Sequence, residues 1–274
     1  MTVEPTPLSA NNPRLADLRR LTGRRRSRVE SGRYVVEGPV PIVEMLSAGV
    51  AVHELFVDAA EWSRVDDRSP LRTATRLAFD ADVPVWGLAD GVVASVADTE
   101  SPQGVIAVAP RITVDLERLM DESGPVLVLV DVADPGNVGT LVRTAEAAGA
   151  AGVVVAGSSA DAFGPKAVRA AAGSTARLPI AEVLAVADVL AASAEASRST
   201  VAAVVDGGVA PEAIDLTGPV CLLVGSEAHG LDDATVAACT TRLTVPMAGT
   251  VESVNVAVAG AVALFEIARQ RRAR

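Results

Sequence analysis

The sequence has few aromatic residues and few cysteines. Aromatic residues make up 3% of its 274 residues although 50% of the chain is hydrophobic, so the core has to pack mostly through Ala, Val and Leu. The two cysteines, Cys221 and Cys239, form neither a CxxC pair nor a metal-ligand spacing. We therefore expect two buried thiols in a reducing cytoplasm, and neither a disulfide nor a metal site.

Long apolar runs are also missing. No run reaches the roughly 20 residues that a membrane-spanning helix needs. Residues 1–14 lack the apolar region of a secretory signal peptide. We expect a cytoplasmic protein without a membrane partner, and the length suits one large domain or two modest ones with ample core.

The chain also lacks an excess of positive charge, since its formal net charge is −10. Taken globally, this value argues against a nucleic-acid partner. The distribution of arginine argues the other way, because arginines crowd residues 14–33 and residues 269–274. An isolated arginine run is usually a solvated arm. Here the run leads straight into a domain that is predicted to be ordered, which favours phosphate contact by Arg24, Arg25 and Arg26.

The first half of the sequence predicts a small α/β domain. Residues 1–11 are typical of a loose tail, and residues 14–26 predict a helix with Leu15, Leu18 and Leu21 on one face. Short strands and helices then alternate as far as residue 109. We place this domain at residues 12–110 and expect the following residues to link it to a second domain.

Alternation of strands and helices continues to the end of the chain. The predicted strands lie at residues 126–132, 152–156, 177–180, 200–205, 220–224 and 243–246, and the predicted helices at residues 138–148, 166–172, 181–197, 232–238 and 253–269. This pattern predicts a parallel sheet covered by helices, in a domain at residues 124–274.

Residues 126–157 hold the most informative stretch, which predicts strand, loop, helix and strand. The loop contains Asp-Pro-Gly-Asn at 134–137, and we expect Asn137 to cap the helix that also carries Arg143. Both residues follow the carboxyl end of a parallel strand, where open α/β sheets bind their ligands.

Two further loops have an unusual composition. Residues 222–231 begin as a buried strand and end in a loop bounded by Gly225 and Gly230 that holds Glu227 and His229. Residues 245–256 leave a strand and enter the last predicted helix, with Ser253 and Asn255 at its start. Taken singly, the glycines could belong to ordinary turns and the serine could be a helix cap.

Two polar residues lie in surroundings that we expect to be buried. Asn255 begins an otherwise apolar helix, and Arg143 lies in a helix whose other residues are mostly small. A buried amide needs hydrogen-bond partners and a buried guanidinium needs an anion. The loops all fall at one edge of the predicted sheet, so a shared site explains these residues better than separate structural roles.

The three loops together resemble a known family. The order DxxDPGNxGxxxRTA, LxVGSExxGL and VPMxGxVESxNVAVA is similar to the three motifs of the SpoU/TrmH RNA ribose 2′-O-methyltransferases, in the SPOUT superfamily. Asn-Pro-Arg at 12–14, the arginine-rich helix, YVVEG at 34–38 and TESPQGV at 99–105 resemble that family's RNA-binding domain. The resemblance covers nearly the whole chain.

The resemblance implies a fold, a cofactor and an assembly. The C-terminal domain would be an α/β fold with a deep trefoil knot, and the N-terminal domain would have a ribosomal-protein-like fold. The cofactor would be S-adenosylmethionine, bound in the knot by loops that follow three strands. The enzyme would act as a homodimer with active sites near the subunit interface.

The resemblance also assigns roles to residues. Arg143 matches the catalytic arginine that activates a ribose 2′-hydroxyl together with a substrate phosphate; because a guanidinium stays protonated, electrostatic positioning describes that role best. Asn137, Glu227, Ser253 and Asn255 match polar positions that order this arginine, the RNA and the partner subunit. Arg169 matches an arginine that contacts RNA phosphate. Backbone groups near Val205, Gly225, Val245 and Val254 would hold the adenosyl part.

Some features depart from the family, and other functions fit the sequence less well. Ser226 stands where Asn is frequent and Val254 where Leu is frequent, while His229 is expected to be a loop residue. A Rossmann-type dinucleotide enzyme is disfavoured, because residues 135–140 are not GxGxxG and no acidic residue ends the next strand. A non-enzymatic RNA-binding protein would not need the whole polar set. Ribosomal RNA is preferred over transfer RNA, since the N-terminal domain resembles those of rRNA-modifying relatives.

Overall fold

The computed structural model describes residues 4–273, so the start of the predicted tail (1–3) and the final arginine (274) lie outside the described residues. Contacts along the chain define two compact units. The first comprises Met1–Ile112 and Phe163–Arg177, and the second comprises Thr113–Ala162 and Leu178–Arg274. A short segment from the middle of the sequence thus belongs to the first unit.

The first unit is built on a five-stranded mixed sheet in the order β1-β4-β3-β5-β2. Its strands are β1 (Thr6–Pro7), β2 (Arg33–Glu37), β3 (Glu54–Asp58), β4 (Val85–Leu88) and β5 (Val105–Pro110). Its helices are α1 (Pro13–Gly23), α2 (Arg25–Ser31), α3 (Pro39–Ser47), α4 (Ala59–Arg64), α5 (Pro70–Asp80), α6 (Val92–Val96) and, from the inserted segment, α9 (Pro165–Ala171). Strand β5 runs antiparallel to β2 and β3.

Helices cover both faces of this sheet. Leucines of α1 and valines of α6 form one core cluster with Val35, Phe56 and Ile106 of the strands. Helices α3 and α5 pack against each other, and their buried residues lie outside that cluster. Because alternate strand residues point to opposite faces, α1 and α6 occupy one face of the sheet and α3 and α5 the other.

The structure corrects two predictions for this unit. The predicted helix at residues 14–26 is two helices, because Arg24 adopts an extended conformation (φ −133°, ψ 115°) between α1 and α2. The predicted tail is not wholly loose, since Thr6 and Pro7 pair in parallel with β4. The expected apolar face of α1 is confirmed, because Leu15, Leu18 and Leu21 are all buried.

The second unit holds a six-stranded sheet in the order β11-β9-β10-β6-β7-β8, and every neighbouring pair is parallel. The strands are β6 (Val126–Val130), β7 (Gly152–Ala156), β8 (Ile180–Val183), β9 (Ser199–Ala203), β10 (Val220–Val224) and β11 (Thr241–Leu243). The helices are α7 (Leu116–Met120), α8 (Pro135–Ala147), α10 (Val186–Glu195), α11 (Asp233–Ala238) and α12 (Val256–Arg272). The predicted α/β class with a parallel sheet is confirmed.

This sheet is also covered on both faces. Val126, Val128 and Val130 join a core cluster with residues of α7 and α10. The alternate residues Leu127 and Leu129 therefore point to the opposite face, where α12 packs on α8 and β10. Among residues 4–273, no helix combines the length and the apolar character needed to cross a membrane.

Several predicted boundaries in this unit are wrong. The predicted helix at 181–197 begins instead as the edge strand β8 and becomes helical only at Val186, as α10. The predicted strand at 243–246 is formed by Thr241–Leu243, which pair with β9; Pro246 has no N–H to donate to a ladder. Strand β6 ends at Val130, because Asp131 takes a left-handed conformation (φ 55°) and accepts hydrogen bonds from Ser158.

Candidate functional site

The loops that follow β9, β10 and β11 meet beside the start of α12 and enclose a cavity of about 630 Å³. All of its lining residues belong to the second unit. The lining combines apolar side chains such as Leu231 and Met247 with a few polar ones, which is the usual composition of a small-molecule site. Three separated stretches of sequence therefore contribute to one site.

Glu227 lies in the loop after β10 and fixes that loop to the start of α8. Its Oε1 accepts hydrogen bonds from Asn137 Nδ2 (2.8 Å) and from the backbone N–H of Asp134 (3.2 Å). Its Oε2 accepts from the backbone N–H of Ala133 at 3.1 Å. Both carboxylate oxygens are thus used as acceptors, which suits an anchoring role better than that of a base.

The hydrogen bonds also settle the charge state of Glu227. Partial burial acts to raise the pKa of this carboxyl group, but the hydrogen bonds from Asn137 and from backbone N–H groups outweigh it and lower the pKa below its usual value. The carboxylate is therefore ionised at neutral pH. Its anchoring is lost only as pH falls through this lowered pKa.

Asn137 and Asn255 extend this contact to the third loop. Asn255 donates from Nδ2 to Asn137 Oδ1 at 3.1 Å, and its own Oδ1 accepts from the backbone N–H of Ala257 at 2.8 Å. Asn255 is therefore the N-cap of α12. The chain Glu227–Asn137–Asn255 joins the three motifs by direct side-chain hydrogen bonds.

Two helix boundaries at the site differ from the prediction. Helix α8 is capped by Asp134, whose Oδ1 accepts from the N–H groups of Gly136 (2.6 Å) and Asn137 (3.1 Å). Pro135 fits the first helical position, where its missing N–H costs nothing. Asn137 is consequently inside the first turn and its amide is available to Glu227. Helix α12 begins at Val256, so Ser253 lies in the preceding loop and does not cap it.

The four residues expected to hold the adenosyl part all line the cavity. These residues are Val205, Gly225, Val245 and Val254. Gly225 lies where the loop closes on itself, because Ser226 and Gly230 exchange hydrogen bonds through N–H and C=O groups (3.1 and 2.9 Å). A Cβ atom at Gly225 would overlap the backbone of Gly230. Only glycine permits this closure.

Arg143 departs most from expectation. Its side chain is exposed on α8, not buried, and it does not line the cavity. Within residues 4–273 the guanidinium has no hydrogen-bond or ion-pair partner. Asn255 is likewise exposed at its position although its amide is fully bonded. Glu227 and Ser253 line the cavity. Asn137 does not line it and is connected to it by its hydrogen bonds with Glu227 and Asn255.

The arginines predicted to contact RNA lie in the first unit. Arg24, Arg25 and Arg26 are exposed at and after the break between α1 and α2, and Arg26 pairs with Glu30 at 2.6 Å. Arg28, in the same run, is buried and donates to the carbonyl of Leu21. Part of the arginine run is thus structural.

Arg169 lies in α9 and is half-exposed. Its Nη2 is 2.9 Å from Asp98 Oδ2 and its Nη1 is 3.7 Å from Glu37 Oε2. Burial raises the pKa of Glu37, opposed by a hydrogen bond from the Asp98 backbone and by the charge of Arg169. An RNA phosphate at Arg169 would have to compete with two carboxylates, and the predicted contact stays a prediction.

Sequence reasoning missed two residues of this region. Asp134 caps α8 and also offers its N–H to Glu227; a proline directly after an aspartate was the available signal. Met247 lines the cavity from the loop after β11. The motif alone does not show that this side chain, rather than its neighbours, faces the cavity.

Family models match both halves of the chain. Residues 124–265 match the SpoU rRNA Methylase family, and residues 12–107 match an MRM3-like substrate binding domain. Among curated proteins, the chain is 32% identical over 271 residues to a 23S rRNA (uridine(2479)-2′-O)-methyltransferase of Streptomyces viridochromogenes, covering 96% of this chain and 92% of the relative. It is 30% identical over 261 residues to the 23S rRNA (guanosine(2553)-2′-O)-methyltransferase RlmP of Bacillus subtilis, covering 94% and 97%.

Solved structures agree with these matches. An AdoMet-bound rRNA methyltransferase from Sinorhizobium meliloti superposes with a TM-score of 0.82 at 28% identity, covering 96% of this chain and 97% of that one. The SpoU methyltransferase AviRb from Streptomyces viridochromogenes, in complex with AdoMet, gives a TM-score of 0.80 at 30% identity, covering 96% and 100%. With a family model over more than half of its length and relatives aligned along nearly all of it, this chain belongs to the SpoU rRNA methylase family.

Proposed function

We propose that this protein transfers the methyl group of S-adenosylmethionine to a ribose 2′-hydroxyl of structured RNA, with ribosomal RNA as the preferred substrate. The observation that carries the proposal is the chain of side-chain hydrogen bonds from Glu227 through Asn137 to Asn255, which joins the three motifs beside one cavity. The relatives named as 23S rRNA 2′-O-methyltransferases support the same reaction and substrate.

The cavity suits S-adenosylmethionine. Its volume of about 630 Å³ falls within the range of roughly 300–1,000 Å³ that is usual for cofactor sites. The tight turn at Gly225 brings backbone to the cavity wall, and apolar side chains at Val205, Val245 and Val254 offer surfaces for an adenosine. The similar chains that were solved with AdoMet support this choice.

The bound cofactor supplies an electrophilic methyl group, and the chain has to position the hydroxyl that attacks it. Arg143 is the proposed positioning group, with its guanidinium holding the substrate phosphate and stabilising the oxygen as its proton is lost. Asn137, Glu227, Ser253 and Asn255 hold the loops around the cofactor and the RNA. Glu227 is not the proton acceptor in this scheme, because its lowered pKa and its three hydrogen bonds make it a weak base.

RNA binding is proposed to rest on the first unit. That unit carries 16 of the 24 Lys and Arg residues against 15 Asp and Glu, whereas the second unit carries 8 against 19. The acidic second unit repels a polyanion, so the initial attraction has to come from exposed cations such as Arg24, Arg25 and Arg26. The proposed substrate-binding domain is residues 12–110 and the proposed methyltransferase domain is residues 124–274, of which residues 163–177 group with the first unit in the structure.

We propose a homodimer that uses α12. Val258, Val262 and Phe265 follow one another at helical spacing and are 50%, 42% and 47% exposed, so α12 presents an apolar stripe on its outer face. A second copy would cover this stripe. Arg143 does not line the cavity of its own chain. An active site near the subunit interface would account for this exposed guanidinium as a group that acts at the interface.

The deep trefoil knot of the family is proposed for the second unit. Strand β11 lies at the sheet edge beside β9, yet α12, which follows it, packs on α8 and β10. The chain therefore turns back across the sheet between Leu243 and Val256, as a threaded segment would. A crystal structure in which the backbone of the second unit is unknotted would contradict this proposal.

Calorimetry with S-adenosylmethionine and with NAD tests the cofactor. We expect saturable binding of S-adenosylmethionine at one site per chain and no binding of NAD. Binding of NAD alone would reject the proposed function in favour of a dinucleotide enzyme.

Substitution of Arg143 by alanine tests the mechanism. Because the side chain is exposed and outside the cavity, Arg143→Ala should leave the fold and the affinity for S-adenosylmethionine unchanged. Methyl transfer should fall by about a hundredfold to a thousandfold, as for loss of one charge-stabilising donor. Normal methylation by Arg143→Ala would remove Arg143 from the reaction, and loss of folding would make it a structural residue.

A further inference from the structure

Four arginines on the connection between α4 and α5 have no role in the function described so far. Arg64 ends α4, Arg68 precedes α5, and Arg72 and Arg76 lie within α5. They recur at intervals of four residues, so Arg72 and Arg76 share one flank of their helix. Arg64, Arg68 and Arg76 are exposed, and Arg72 is half-buried. We call this set the α4–α5 arginine surface.

Arg72 is held in place without a counter-ion. Its guanidinium carbon lies 3.6 Å from the centre of the Trp62 ring, and the Trp62 Nε1 donates to Thr75 Oγ1 at 3.2 Å, which fixes the indole against α5. The Nε of Arg72 is shielded from solvent and donates no hydrogen bond to any described residue. A guanidinium stacked on an aromatic ring and lacking a carboxylate retains its capacity for an anion.

The other three arginines are also unpaired among residues 4–273, since no ion pair or side-chain hydrogen bond engages them. Asp66 lies two residues before Arg68. Its carboxylate accepts a hydrogen bond from the backbone N–H of Arg68 at 2.7 Å and so stabilises the turn. The α1–α2 region differs: Arg14 pairs with Glu54, Arg33 with Asp17 and Arg26 with Glu30.

The position of this surface matters for RNA. Helix α5 packs with α3, on the face of the first unit's sheet opposite to α1 and α6. The exposed arginines near the α1–α2 break and the α4–α5 arginine surface therefore flank the same sheet from its two sides. A ligand that contacts both sets therefore has to reach both faces of that sheet.

We propose that the α4–α5 arginine surface binds the phosphate backbone of the RNA substrate as a second contact, separate from Arg24–Arg26. Arg72, stacked on Trp62, holds one phosphate in a fixed direction, and Arg68 and Arg76 follow the strand on either side. The substrate is then a folded RNA with two arms rather than one continuous helix. This inference rests on the proposed function, because it takes RNA as the ligand.

The test measures binding to deproteinised 23S rRNA over a range of KCl concentrations. The variant Arg68→Gln with Arg76→Gln removes two exposed charges and keeps the Arg72–Trp62 stack. Its matched control is Arg118→Gln with Arg242→Gln, two exposed arginines of the second unit. We expect the α4–α5 variant to lower the slope of log affinity against log salt by about 1 to 2, since each phosphate that is no longer neutralised lowers it by roughly 0.7 to 0.9. The control should match the wild type.

Three results separate this inference from the function on which it rests. An unchanged salt slope for Arg68→Gln with Arg76→Gln, alongside a lowered slope for neutralised Arg24–Arg26, would overturn the second contact and leave the function intact. Equal reductions in the α4–α5 variant and in the control would also overturn it, as an effect of net charge alone. Failure of the wild-type protein to bind or methylate rRNA would instead overturn the proposed function. Thermal melting and S-adenosylmethionine affinity should be unchanged in both variants.

Discussion

Gly225 shows how closely the cofactor loop is packed at the scale of single residues. The loop from Ser226 to Gly230 closes through a pair of backbone hydrogen bonds, and His229 adds a bond from its N–H to Ser226 Oγ at 3.1 Å. A side chain at Gly225 would meet backbone atoms, which cannot rotate away as a side-chain tip can. The shape of this cavity wall therefore depends on the absence of one Cβ atom.

Replacement of this glycine gives a prediction. Gly225→Ala should open the loop and lower the affinity for S-adenosylmethionine by about tenfold or more, since a decrease of about 1.4 kcal/mol in binding free energy already gives that factor. The matched control is Gly218→Ala, because a Cβ atom at Gly218 would meet nothing within 4 Å. Calorimetry on both variants measures the difference, and equal affinities would show that the loop accommodates a methyl group.

The sequence predicted which residues of the three motifs come together. It did not predict the hydrogen-bond partners or the exposure of each residue. The motif pattern indicated that Asn137, Glu227 and Asn255 belong together, and their hydrogen bonds confirm this contact. Their partners could not be predicted from pattern alone. Whether Asp134 or Asn137 caps α8 depends on where the backbone turns, and the exposure of Arg143 depends on which helix face meets the sheet.

At the scale of secondary structure, α12 has two faces with different tasks. Its inner face packs closely on α8, since a Cβ atom at Gly260 would lie 2.5 Å from Leu141 Cδ2. Its outer face carries the apolar stripe of Val258, Val262 and Phe265. Exposure of three large apolar side chains at helical spacing is typical of a surface that another molecule covers.

The stripe gives a prediction for assembly. Phe265→Asp should weaken self-association by more than about thirtyfold, because central aromatic residues of an interface contribute about 2 kcal/mol or more. Leu184→Asp is the matched control, since Leu184 is 91% exposed but lies after β8, away from α12. Sedimentation equilibrium compares the two, and a Phe265→Asp protein that stays dimeric would place the interface elsewhere.

The accuracy of the element predictions depended on the strength of the local signal. Strands β7 and β10 were predicted to the residue, because each is a continuous apolar run that is buried in the sheet. The edge strands β8 and β11 were misplaced, because they are only four and three residues long, which leaves little alternation to detect, and their pairing partners lie far away in the sequence. Tertiary pairing, not local propensity, defines these two strands.

For the whole molecule, the separation of charge between the units is the main functional feature. A chain of net charge −10 can attract RNA because 16 of its 24 Lys and Arg residues lie in the first unit, where they offset the acids, whereas the second unit carries 8 against 19. The excess of arginine near the N-terminus was visible in the sequence. The second set on α4 and α5 was not, because only the fold shows that these arginines lack ion-pair partners among the described residues.

The central claim is that three loops form one cavity from which a methyl group reaches a ribose oxygen of ribosomal RNA. The most direct test incubates the protein with S-adenosylmethionine labelled in its methyl group and with 23S rRNA from cells that lack the gene, and then digests the RNA to nucleosides. We predict label in a single 2′-O-methylnucleoside, at one position of the RNA, and a rate of labelling lower by about a hundredfold or more with Arg143→Ala. Label on a base, or no transfer by a protein that binds both S-adenosylmethionine and the RNA, would contradict this claim.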